Sequence, residues 1–330
     1  HSLPADAVDA RKLRRWLTDT SDRQLTALVP RDREGLKEFR RVIGGALETL
    51  LHTRLPAGED VEHKVHGSET IDGYELTRLT LARKGSGEEV PAVLLKPGEW
   101  NGVVVVAATP RGKSQLFSPA PEGDGRRVQA IPAHVLQKGA AILSPDVFLT
   151  GEYLEGDEEG PAGPDSGLFP KDKGRHGSYV GYTYGYNRTL IAERVHDLLT
   201  AVAYASALPG CRAVHLAGGD EASTWTLLAA ALAGSRVGKI FVGGSLSGFS
   251  RIESHDDPDF LPGALKYGGL PFFTALSAPT PLRLAGDVSR EEVVVSAYRA
   301  SGHAGAVEYV GGDIGRERGE ALLEWLSRRE

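Results

Sequence analysis

Residues 213–233 read AVHLAGGDEASTWTLLAAALA, and the fold turns on them. Residues 213–217 are a short run of strand length, and residues 221–233 carry a helical pattern. A Gly-Gly pair separates the two, as a tight turn or a close backbone approach requires. Strand, sharp turn and helix make the frame in which G-x-S-x-G lifts a side chain onto a strained turn at the end of a strand. Gly218 occupies the first glycine position and Asp220 the position of the exposed residue. Ala222 replaces the second glycine and is still small enough for tight helix–strand packing.

Outward from this stretch the chain alternates. Strands are expected at 103–108, 140–145, 213–217, 239–243, 282–286 and 306–310. Helices are expected at 126–138, 188–207 (with Asn187 as cap), 221–233, 269–277, 290–301 and 316–329. Repeated βαβ units imply a mostly parallel, doubly wound sheet with helices on both faces. Ahead of it, Val61–Val65, Tyr74–Leu81 and Val90–Leu95 alternate or run β-rich, which predicts antiparallel opening strands. Residues 4–17 and 31–51 read as helices; in the second, Leu36, Phe39, Ile43, Leu47 and Leu50 recur at helical spacing. The expected organisation is a helical extension over 1–55 and one α/β domain over 56–330.

Composition narrows the function. The 330 residues hold 38 Lys+Arg and 44 Asp+Glu, a net charge of −6, which argues against an electrostatic nucleic-acid binder. No apolar run approaches the ~20 residues of a membrane span, so neither nucleic acid nor membrane is an expected partner. The single cysteine, Cys211, excludes an intrachain disulfide framework and a cysteine-based zinc site. The chain opens on His1, which fits a processed or excised segment.

From about residue 60 onward the chain resembles the α/β-hydrolase superfamily, and within it the acetyl-xylan-esterase-like and dienelactone-hydrolase-like members. The resemblance rests on VPAVLLKPGEWNGVVVVAATPRGK (90–113), GAAILSPDVFLTGE (139–152), NRTLIAERVHDLLTAVAYA (187–205), VHLAGGDEAS (214–223), LSAPTPLRLAGD (276–287), and VEYVGG (307–312) with ALLEWL (321–326). It implies an α/β-hydrolase fold, a carboxylic ester hydrolase ancestry, no cofactor or metal, a small-molecule or carbohydrate-ester ligand, and a secreted or periplasmic protein. It also suggests a neighbouring hydrolase-like domain, since tandem copies with one degenerate member occur in the family.

The departures from the family pattern matter as much. A serine triad needs a nucleophile, a histidine base and an acid that orients it. Position 220 carries no hydroxyl. Asp287 stands near the acid position, although it also suits a helix cap. The histidine position near 313–315 holds Asp313, Ile314 and Gly315. Three readings follow: a degenerate, non-catalytic domain; an aspartate nucleophile at Asp220 with a histidine from elsewhere; or a carboxylate site for a hard cation built from Asp220, Glu221, Asp287 and Asp313. The first is preferred, with Asp220 retained as a cap of helix 221–233. For the second, His255 is the candidate base, with His176 a pocket residue and His303 more readily a helix-end cation. Arg111, Gly112 and Lys113 sit where the family places its oxyanion hole, Gly112 offering an N–H and Arg111 or Lys113 a charge for an anionic group. Gly219, Glu221 and Tyr184 complete the expected pocket. Ser223 is read as a packing hydroxyl.

Overall fold

The computed structural model describes residues 4, 7–120, 125–154, 171–172, 177–178, 184–244, 246, 248–311, 322 and 325. Nine strands form the central sheet: β1 (Val61–Ile71), β2 (Tyr74–Arg83), β3 (Val90–Lys96), β4 (Val103–Ala108), β5 (Ala141–Pro145), β6 (Ala213–Gly219), β7 (Lys239–Gly243), β8 (Leu282–Ala285) and β9 (Val307–Val310). Their order is β1-β2-β3-β5-β4-β6-β7-β8-β9. The pairings from β1 through β3 to β5 are antiparallel, and every pairing from β5 to β9 is parallel. The order reverses at β4, whose neighbours are β5 and β6. In an open α/β sheet the crevice at such a reversal is where ligands bind.

The helices are α1 (Ala10–Leu28), α2 (Arg33–Phe39), α3 (Gly45–Leu51), α4 (Ala130–Gln137), α5 (Leu190–Ala207), α6 (Ala222–Ala233), α7 (Gly269–Ala275) and α8 (Glu292–Ala300). A π-helical turn, Arg40–Gly44, joins α2 to α3, so the helix expected over 31–51 is one rod with a bulge. The helix expected at 4–17 runs instead from 10 to 28: Asp9 accepts the N–H of Lys12 and starts it nine residues before the polar stretch 18–24, through which it continues. Asn187 is not the cap of α5; the N-cap position falls on Thr189. The helix expected at 126–138 begins at Ala130, because Arg126–Val128 pairs with Phe117–Pro119 in a short ribbon. The helix expected at 316–329 falls almost entirely outside the described residues.

Two cores lie on opposite faces of the sheet, which is what doubly wound topology requires. One face packs α5 and α6 with the N-terminal helices, and Leu36, Phe39, Ile43, Leu47 and Leu51 are all buried in it. The other packs α4 and Trp325 over Val105, Ile142, Ala217 and Phe241. Helix α5 is buried on nearly every side, as its Ala/Leu/Val content allows. On the second face, charge replaces hydrocarbon around Trp325. Arg283, fully buried, ion-pairs with Glu308 at 2.6 Å and lies 4.9 Å from the Trp325 ring centroid, and Lys239 lies 5.9 Å from it.

Two outcomes follow. Phe39→Ala should cost about 3–5 kcal/mol in a urea unfolding curve, because the ring is fully buried and packs 5.8 Å from Phe272; a loss below about 1 kcal/mol would mean the extension is only loosely docked. His215, buried and facing Lys239, is pushed down to about 4, first by desolvation and then by that cation. The unfolded chain then binds a proton that the folded one does not, so stability should fall as pH drops from about 6.5 toward 4, by up to about 3 kcal/mol. That contribution should be lost in His215→Gln, so stability should fall less steeply between pH 6.5 and 4 in the variant than in wild type.

Candidate active site

The turn after β6 has the expected shape. Asp220 adopts φ 52°, one of four described non-glycine residues with positive φ, a conformation that costs an L-residue roughly 1–2 kcal/mol and that Asp tolerates better than most. The Asp220 N–H donates to Gly243 O at 2.8 Å, and its carbonyl accepts from Ser223 N at 3.0 Å. Small residues make room for the turn. A Cβ on Gly218 would overlap Thr226 Oγ1 in α6, and one on Gly244 would stand 3.1 Å from the Asp220 Cα. Gly286 in turn passes so close to Gly244 that a Cβ would come within 2.7 Å of its carbonyl oxygen. Ala222 is completely buried, as a glycine substitute at that crossing must be. The Ser223 hydroxyl is spent on packing, donating to Gly243 O at 3.0 Å.

This corrects the capping expectation. The N-cap of α6 is Glu221, whose side chain makes no capping hydrogen bond; Asp220 lies one residue earlier, at the apex of the turn. Asp220, Glu221 and Thr224 line a pocket of about 220 Å³ closed by Gly248, Phe249, Arg251 and Asp259. Asp259 is held beneath it: its carboxylate accepts the Trp225 indole N–H at 3.1 Å, and its pKa is raised by burial against the lowering effects of that bond and of Arg194. Arg194 is fully buried with its guanidinium 4.5 Å from the Trp225 ring centroid, and desolvation lowers its pKa to about 10. The rim is thus carboxylate-rich, with Arg251 as its cation.

The other sequence candidates fall elsewhere. Gly219 lines a second, mostly apolar groove at the strand reversal with Thr109, Gln115 and Phe241. Gly112 does take a left-handed φ of 71°, yet its N–H donates to Thr109 O at 3.1 Å, so that donor is already engaged. Lys113 is not offered to an anion. It ion-pairs with the fully buried Asp146 and, at 2.7 Å, with Glu152, and Asp146 also accepts the Lys113 and Glu152 N–H groups. A side chain on Gly112 would collide with that same Asp146, which accounts for the glycine. Arg111 is exposed, its N–H bonded to Gln115.

Asp287 is exposed after Gly286, and the cap of α8 is Glu291 rather than Asp287. His255 is half exposed and lies 3.4 Å from Asp256; it does not line the elbow pocket. His303 lies beyond the end of α8, on a groove with Arg40 and Pro279 at the opposite edge of the sheet. Tyr184 stacks on Phe260 at 6.0 Å, and burial raises its pKa. His176 and Asp313 lie outside the described residues. Among the described residues no group of three or more His, Cys, Asp or Glu is placed to hold a metal ion. Thr224, Arg251 and Asp259 were not picked out from sequence. Residues 244–268 carry no period, and only the fold folds that segment over the elbow.

No protein-family model matches the sequence, and no curated protein sequence does. Solved structures do match. A candidate acetyl xylan esterase from Bacteroides fragilis superposes with TM-score 0.63 at 13% identity, covering 100% of this chain and 87% of that one. A promiscuous esterase from a marine bacterial metagenome gives 0.55 at 12%, covering 85% and 89%. A glucuronoyl esterase from Solibacter usitatus gives 0.51 at 12%, covering 84% and 90%. With its reversed parallel strands, opening antiparallel strands and strained elbow after β6, this chain has the α/β-hydrolase fold.

Proposed function

We propose that this chain is a hydrolase-like domain that has lost ester hydrolysis and keeps its elbow pocket as a binding site for a small polar ligand of the carbohydrate or carbohydrate-ester class. One observation carries the reading: the residue at the apex is Asp220, and the described residues lining its pocket are three acids, Arg251, Thr224, Gly248 and Phe249, with no histidine. Among the described residues a serine triad has neither its nucleophile nor a base there. Carboxylates, a guanidinium, a hydroxyl and an aromatic face are the groups that bind sugar hydroxyls through hydrogen bonds and a ring face. The acetyl xylan and glucuronoyl esterase likenesses support the carbohydrate class.

A second reading has its own support. Asp220 keeps the left-handed φ of a nucleophile elbow, which a plain cap does not need, so a covalent route is the alternative: the Asp220 carboxylate attacks the acyl carbon, expels the alcohol and forms a mixed anhydride that water, activated by a base from another segment, then opens.

Chromogenic acetyl esters and uronate esters should show no turnover above buffer, in wild type and in Asp220→Asn alike. Acetylated xylo-oligosaccharides should raise the melting temperature of wild type and not of Arg251→Ala. Turnover abolished by Asp220→Asn, with label from heavy-oxygen water entering the Asp220 carboxylate in a single turnover as the anhydride is opened at its carbonyl, would replace this reading with the covalent one. The turn itself predicts a stability order. Asp220→Gly and Asp220→Asn should hold the melting temperature, whereas the β-branched Asp220→Val should lower it by roughly 2–6 °C.

A further inference from the structure

Helix α1 has two unlike ends. Its C-terminal half is docked: Leu25 and Leu28 pack on the core, and Lys266 Nζ donates to Ser21 Oγ at 2.8 Å. Its N-terminal half leaves the body, and every residue from Ala10 to Asp19 is exposed. At 100° per residue, Leu13, Trp16 and Leu17 continue the same stripe that Ser21, Gln24 and Leu28 present to the body. Beyond the body that stripe is uncovered: Leu13 is 47% exposed, Trp16 59% and Leu17 51%, with Val8 at 64% just before the helix.

Four cations surround this stripe. Lys12 and Arg14 flank it on either side by the same helical geometry, and Arg11 and Arg15 lie on the far face. Of the two acids here, Asp9 is occupied in capping the helix, and Asp19 stands at the end of the exposed stretch, so the four cations remain in excess. None of the four cations is ion-paired among the described residues, although the chain as a whole is acidic. The exposed apolar side chains offer on the order of 400 Å², about half of the ~800 Å² that each partner of a stable protein interface buries. A short wedge of Trp and Leu edged by Lys and Arg has the dimensions of a helix lying at a lipid–water boundary.

We propose that the N-terminal half of α1 docks the protein reversibly on an anionic lipid surface, with Leu13, Trp16 and Leu17 at the acyl boundary and Lys12 and Arg14 at the headgroups. This is peripheral attachment, since no described helix is long and apolar enough to cross a membrane, and it revises the sequence expectation of no membrane partner, which rested on the lack of a spanning segment. It is independent of what the elbow pocket binds.

The test is sedimentation of the full chain with vesicles of phosphatidylcholine alone and of phosphatidylcholine mixed with phosphatidylglycerol. Binding should appear with the mixed vesicles alone and weaken as salt rises. It should fall about tenfold or more in Leu13→Ser/Trp16→Ser/Leu17→Ser and in Arg11→Gln/Lys12→Gln/Arg14→Gln/Arg15→Gln. The melting temperature should hold in both variants, because none of these side chains is buried. No binding to mixed vesicles at low salt would overturn the proposal. So would binding that survives the serine variant, which would leave charge alone as the cause. A stable dimer in solution that Trp16→Ser dissociates would also overturn it, by assigning the stripe to a second copy of the chain.

Discussion

The structure depends on how closely α6 can leave the end of β6. A helix separated by only two residues from a buried parallel strand must cross that strand with almost no space between the backbones. Gly218 meets Thr226 at that crossing, Ala222 is sealed inside it, and Gly244 runs against the Asp220 backbone from the next strand. Any larger side chain at these points would push the helix away. The elbow is set by this packing, and residue 220 takes its left-handed conformation at the apex.

Once the turn is made, its apex is at the carboxyl edge of the sheet, and the chain after β7 closes over it. That segment brings Arg251 and Asp259 to the pocket. Asp259 is anchored from below by the Trp225 indole, which also stacks on Arg194. A half-buried carboxylate, an indole and a guanidinium thus form one layered support, and the low dielectric that raises the Asp259 pKa also strengthens its bond to the indole. The loop after β4 is stiffened separately. The buried Lys113–Asp146 pair ties it to the end of β5 and uses the very groups that sequence position assigns to anion binding. Removing one partner of such a pair leaves a buried charge uncompensated, so the pair is a structural clamp beside the site.

The two ends of the chain meet the body differently. Residues 33–51 contribute five fully buried or nearly buried apolar side chains to the main core, so α2 and α3 are held by hydrophobic contact. Trp325 is held at the opposite face by cations from β7 and β8. Among the described residues, nothing buries the apolar stripe on the first half of α1.

By itself the sequence determined the fold. Continuous apolar runs separated by helical periods specify a parallel sheet, since strands covered on both faces tolerate little polarity. Val103–Ala108 and Lys239–Gly243 end where the pattern says they end. The glycine pair before Asp220 also announced the elbow, because a sharp turn needs residues without side chains. The pocket was not readable in the same way. Arg251 and Asp259 come from a stretch without period, and their meeting with Asp220 is a fact of three-dimensional closure. The roles of Gly112 and Lys113 likewise depended on Asp146, more than thirty residues away, and the cap at Asn187 on which backbone turn begins α5. Helix α1 shows the same division. Its apolar spacing is written in the sequence, but whether that stripe is core or surface is decided by where the body ends, and the body ends at Ser21.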